Sequence, residues 1–172
     1  MSTLRFDRSA HTIQLTGAAG DITGPFTAYN NVDSHSNGPW PDGTFSFIGY
    51  NTHAALSDPD SEYGAHGILI FNVPNRTGMG VHSGRAGIPD GLGRSGPQHC
   101  TLGCIRTTDE AMAAFLQVIA GDPMQSIDVD TPAPSESARL SGLLPSKKKK
   151  TVKKKRIARK GGKRTSRKAR KP

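Results

Sequence analysis

The first 146 residues contain no lysine, and the last 26 contain no acid. The front part carries seven arginines against fourteen acids, and residues 147–172 carry sixteen Lys or Arg. The formal net charge of +9 therefore describes neither piece. Cysteine is nearly absent, with Cys100 and Cys104 the only two, too few for a disulfide framework. No run of about eighteen apolar residues occurs, so no membrane-spanning helix is expected. The opening MSTLRFDRSAHTIQLTGAAG has no apolar core of the kind a signal peptide needs. That predicts a protein made in the cytoplasm without a signal peptide. Aromatics are sparse at 6% and apolar residues reach 34%, low for a chain that is compact throughout.

Short strand signals fill the front part. Ile13 and Leu15 alternate with polar neighbours within residues 3–16, PFTAYN reads as a second short strand, and Thr44–Tyr50 alternates again after a turn built from Gly38, Pro39, Pro41, Asp42 and Gly43. HGILIFNV at 66–73 is a continuous apolar run of strand length, and 78–84 reads as a further short strand. Residues 85–103, rich in glycine and interrupted by Pro89 and Pro97, read as a long loop of the kind that carries function. One helix follows. Thr107 and Glu110 fit a capping box, Met112, Phe115, Leu116 and Ile119 share one face, and Gly121 and Pro123 end it. MQSIDVDT predicts a last strand. The expected organisation is a mainly β domain over 1–131 with one helix, a linker over 132–146, and a disordered Lys/Arg-rich tail over 147–172.

HCTLGCIRTTDEAM, residues 99–112, concentrates the chemistry. A zinc site drawing on Cys100, Cys104, His99 and His82 lacks a second closely spaced pair, and a Cys100–Cys104 disulfide needs an irregular turn. Two buried, inert thiols are the bland alternative. Cys104 has a more reactive setting. It follows Gly103, precedes the predicted helix start, and has Arg106 close by, features that together predict a lowered thiol pKa. His82, at the end of a predicted strand and followed by Ser83 and Gly84, is the best candidate base.

VHSGR, a glycine-rich loop, and then TLGCIR resemble the signature of the L,D-transpeptidase (YkuD-type) catalytic domain. Thr101, Gly103, Cys104 and Arg106 match, with His82 and Ser83 upstream; Leu102 stands where the family usually has a second histidine. The upstream stretches LRFDRSAHTIQLTG, FTAYNN and NGPWPDGTFSFIGYN are similar to L,D-transpeptidase-like effectors exported by type VI secretion. The resemblance implies a β-sandwich-like catalytic fold, peptidoglycan stem peptides as substrate and cysteine-dependent acyl transfer, with neither cofactor nor metal. His82 would take the Cys104 proton. Ser83 or its carbonyl would orient His82, amides near Gly103 and Cys104 would hold the oxyanion, and Arg106 would hold a substrate carboxylate or the loop, with Thr101 alongside. It further implies export to the periplasm or cell wall, with secretion machinery or an immunity protein as partners.

The tail KKKKTVKKKRIARKGGKRTSRKARKP has the capacity to bind polyanions by counterion release, whether nucleic acid or an anionic envelope. A non-enzymatic polyanion-binding protein acting through this tail is the alternative reading of the whole chain. His11, His35, His53 and His66 have no partner pattern, Trp40 between two prolines reads as packing, and Asp58, Asp60 and Glu62 read as a solvated acidic loop rather than a Ca²⁺ loop.

Overall fold

The computed structural model describes residues 1–52 and 58–130. The expected linker at 132–146, the tail at 147–172 and His53 lie outside the described residues. Eight strands and one helix follow in the order β1 (Ser2–Asp7), β2 (Thr12–Thr16), β3 (Ile22–Thr27), β4 (Gly43–Asn51), β5 (Ile68–Phe71), β6 (Gly80–His82), β7 (Ile105–Arg106), α1 (Asp109–Ile119) and β8 (Met124–Asp130). The strands form a sheet in the order β3-β2-β1-β8-β4-β5-β6-β7. The chain is thus mainly β with a single helix after Cys104, as the sequence predicts. What was read as one strand within 3–16 is a hairpin. Leu4 and Phe6 face Leu15 and Ile13 in register, and all four are fully buried.

β4 bends the sheet. Its first half, Gly43–Ser46, pairs with β8, and its second half, from Phe47 to Asn51, pairs with β5 across a register shift between Phe47 and Gly49. A shift of this kind inserts an extra residue on one strand and increases its local twist. The curl then turns back on itself. Tyr29, just beyond β3, exchanges both backbone hydrogen bonds with Arg106 of β7 at 2.8 Å, and Val32 bridges to Thr101. The segment before the cysteine loop and the last strand of the sheet are therefore tied together.

Aromatic residues hold the interior. Trp40, 1% exposed, meets Phe45 and Phe71 edge-on at centroid distances of 5.4 and 6.0 Å, so it is core rather than cleft wall. The helix buries Ala111, Met112 and Phe115, and Phe115 meets Phe26 edge-on at 5.6 Å. The helix cap is one residue later than the sequence predicts. Thr108, in extended conformation, accepts from the Ala111 N–H, whereas the Thr107 hydroxyl donates to the Thr27 carbonyl at 2.9 Å. Thr107 is fully buried against the sheet, so its side chain is committed there before the helix begins.

Candidate active site

Parallel pairing of β6 with β7 sets the site. Val81 lies opposite Ile105, and His82 opposite Arg106. Side chains alternate along a strand, so Cys104, immediately before β7, faces the same side as Arg106 and His82. All three line one cleft of about 430 Å³, together with Thr101, Gly103 and Leu102. The sequence separates His82 from Cys104 by a 21-residue excursion; the short parallel ladder brings them to one wall.

The cysteine loop is closed by its own polar groups. Thr101 Oγ1 donates to the Cys104 carbonyl at 2.8 Å and accepts from the Gly103 N–H at 3.0 Å. Gly103 has φ of +150°, a conformation that side chains other than hydrogen rarely adopt. Its amide is therefore engaged by Thr101, and the oxyanion role expected near Gly103 and Cys104 falls to the Cys104 amide. Asn30 adds a second tie: its side-chain amide donates to the carbonyls of Gly103 and Cys104.

Around the sulfur, the Gly80 N–H is a donor that favours the thiolate, and the thiol lies 3.7 Å from the Gly78 carbonyl. Burial pushes the Cys104 thiol above its ordinary pKa; the Gly80 N–H and the Arg106 charge pull it down without prevailing. This corrects the expectation of a lowered pKa. The helix whose N-terminus was to stabilise the thiolate starts at Asp109, and β7 stands between. Cys104 at rest is a neutral thiol that needs a base.

His82 is 2% exposed, and its ring meets Tyr63 edge-on at 5.2 Å. Ser83 does not line the cleft. It is buried, and its hydroxyl donates to the Asp109 carboxylate, which also accepts from the Ala65 N–H at 3.3 Å. The Ser83 hydroxyl expected to orient His82 thus anchors the start of α1 instead, because Asp109 is the stronger acceptor. Arg106, 3% exposed, donates to the Gly84 carbonyl, and burial pulls its pKa down to about 10, still a cation at neutral pH.

Sequence reasoning missed several residues of the cleft. Glu62 and Tyr63 enter it from the 58–64 loop, and Arg85 from the loop after β6. Close backbone packing positions them: a Cβ on Gly84 would lie 2.1 Å from the Glu62 carbonyl oxygen. Glu62, read from the sequence as part of a solvated acidic loop, lines this wall. Cys100 lines the cleft as a free thiol, as Cys104 is, with the Arg94 guanidinium donating to its sulfur. His99 turns away, with Nδ1 donating to the Cys100 carbonyl at 2.8 Å. His11 stacks on Tyr29 at 4.5 Å. Among the described residues no group of three His, Cys, Asp or Glu could hold a metal ion, and no helix is long and apolar enough to cross a membrane.

No protein-family model matches the chain, and no curated protein does. Solved structures do. An L,D-transpeptidase from Mycobacterium smegmatis superposes with a TM-score of 0.50 at 19% identity, over 76% of this chain and 58% of that one. L,D-transpeptidase 1 of Mycobacterium tuberculosis gives a TM-score of 0.47 at 18% identity, over 74% of this chain and 60% of that one. An L,D-transpeptidase (Yku) from Stackebrandtia nassauensis gives 0.49 at 14% identity, over 77% and 57%. The chain spans less than two thirds of the length of each. The Mycobacterium smegmatis structure establishes a shared fold, the one the sequence resemblance implies.

Proposed function

We propose that the domain catalyses cysteine-dependent acyl transfer on peptidoglycan stem peptides. The observation that carries this reading is the meeting of His82 and Cys104 on one wall of an open cleft, through the β6–β7 ladder. The fold shared with an L,D-transpeptidase supports it and selects the substrate class.

The steps follow from the neutral thiol. His82 accepts the Cys104 proton as the sulfur attacks the carbonyl carbon of the third stem residue. The C–S bond forms, the carbonyl electrons move to oxygen, and the Cys104 amide steadies that oxygen. Collapse breaks the C–N bond to the terminal D-residue, whose amine leaves with the proton from His82. A thioester remains. An acceptor amine then attacks it, restoring an amide and the thiol; a D-amino acid gives exchange, a second stem gives a cross-link, and water gives trimming. Burial that keeps the thiol neutral also keeps bulk water from the sulfur, and it makes the histidine indispensable. Such a substrate places the working protein in the periplasm or cell wall.

Incubation of the protein with purified muropeptides tests the reading, with products identified by mass. Loss of the terminal D-residue or its replacement, absent with Cys104→Ala, is the expected outcome. Unchanged muropeptides with the intact protein, or equal conversion by Cys104→Ala, would refute it.

A further inference from the structure

Two guanidinium groups enter the cleft, and neither has a carboxylate. Among the described residues the side-chain ion pairs within 4 Å are Arg5–Asp130, Arg8–Asp42 and Arg94–Asp90, and neither Arg85 nor Arg106 takes part in one. Arg106 is almost wholly buried. It spends one terminal nitrogen on the Gly84 carbonyl, while its Nε is buried without a hydrogen-bond partner among the described residues. A buried guanidinium with an unspent donor, lining the cleft that holds Cys104, is incomplete as it stands.

Arg85 is the second cation. It is half-buried, with φ of +58°, a left-handed conformation uncommon for arginine. Its backbone is fixed from both sides: its N–H donates to the Ser61 carbonyl at 2.9 Å, and its carbonyl accepts from the Gly96 N–H at 3.1 Å. These bonds hold the residue in an unfavourable conformation in which its side chain reaches the cleft. The two charges feel each other, since Arg85 is the leading electrostatic influence lowering the Arg106 pKa. Like charges in a partly desolvated pocket repel unless an anion lies between them. Glu62 and Asp33 also line the cleft, but neither forms an ion pair with either arginine.

We propose that Arg85 and Arg106 form a carboxylate subsite beside Cys104, and that Arg85 makes the site specific for acyl donors whose third residue carries a free carboxylate rather than a carboxamide. This deepens the function proposed above and rests on it for the identity of the substrate. The chemistry is general: guanidinium donors bind a carboxylate through charge-assisted, planar hydrogen bonds, and a neutral carboxamide offers one acceptor oxygen and an NH₂ that meets the guanidinium donor to donor. The Arg106 Nε supplies a donor from the buried wall, and Arg85 closes on the ligand from the rim.

The test compares two tetrapeptide stems that differ only in a carboxylate or a carboxamide on the third residue. The full chain and Arg85→Gln are both assayed for kcat and KM. The intact protein is expected to favour the carboxylate by about tenfold or more in kcat/KM, mostly through KM, and Arg85→Gln to lose most of that preference. Arg85→Lys should recover part of it, since it keeps the charge without the fork. No preference in the intact protein, or the same preference in Arg85→Gln, overturns the proposal while leaving the acyl-transfer reading intact. If neither peptide reacts with the intact protein, the acyl-transfer reading fails, and the subsite is decided by protection of Cys104 from iodoacetamide with glutarate as probe. Slower labelling in the intact protein but not in Arg85→Gln sustains an anion subsite; no protection overturns it.

Discussion

Asn30 holds the backbone of Cys104 from 74 residues away, its Nδ2 donating to the Cys104 carbonyl at 3.0 Å and to the Gly103 carbonyl at 2.7 Å. Its Oδ1 accepts from the Trp40 N–H at 2.7 Å. One side chain thus joins the cysteine loop to the aromatic core. Asn30→Ala leaves three backbone groups without this partner and should cost about 1–3 kcal/mol in urea denaturation. Asn30→Asp keeps the acceptor for Trp40 but removes both donors to the loop. It should lower acyl transfer further than its loss of stability accounts for. Wild-type turnover by Asn30→Asp would exclude a positioning role.

His82 and Cys104 should fail differently when replaced. Cys104→Ala removes the bond-forming atom and should abolish conversion of muropeptides. His82→Gln leaves the thiol but no base, and should lower kcat by roughly 10²–10⁴-fold with a smaller change in KM. Both variants should be checked for melting temperatures near that of the parent. A His82→Gln protein with normal kcat would show that the thiol does not depend on this imidazole.

The raised thiol pKa has a measurable sign. Burial favours the neutral thiol in the folded chain, so Cys104 stabilises the fold fully below the ordinary thiol pKa, and that contribution is lost as pH rises through the higher folded value. Labelling of the Cys104 peptide by iodoacetamide, followed by mass against pH, should show a midpoint above that of a free thiol. Arg106→Gln removes a charge that favours the thiolate and should move the midpoint further up. A midpoint below that of a free thiol would mean that the sulfur rests as a thiolate, and would reverse the role assigned to His82.

What the sequence made legible was local. TLGCIR and VHSGR named Cys104, His82, Gly103, Thr101 and Arg106, because each candidate role depends on residue type within a few positions, and the structure puts all five on one cleft. The continuous apolar run at 66–73 was legible as a strand, since four buried residues in succession leave few other options. Asn30, Tyr63 and Arg85 were not legible, because nothing in their neighbours marks them; their positions come from the closing bridge at Tyr29–Arg106 and the tight packing of the 58–64 loop on Gly84. The thiol pKa was misjudged for a related reason. Two adjacent threonines and a glutamate fit a helix start at more than one register, and placing the helix too early put its dipole nearer the sulfur than it is. β1 was merged with β2 because Ser2–Asp7 alternates as weakly as the turn that follows it.

The helix register can be tested directly. Thr108 Oγ1 accepts from the Ala111 N–H at 3.1 Å, so Thr108→Ala should cost about 1 kcal/mol, the usual loss of an N-cap oxygen, in urea denaturation. Thr108→Asp should recover that stability, because aspartate caps as well and its charge suits the helix N-terminus. Were Thr107 the cap instead, position 108 would be the first helical residue, and alanine there would be neutral or slightly favourable. The same substitutions reach the site through Asp109, which α1 presents to the Ser83 hydroxyl one residue from His82. A loosened first turn should therefore lower acyl transfer in Thr108→Ala and restore it in Thr108→Asp. Loss of activity in both would point to a contact of Thr108 other than the cap.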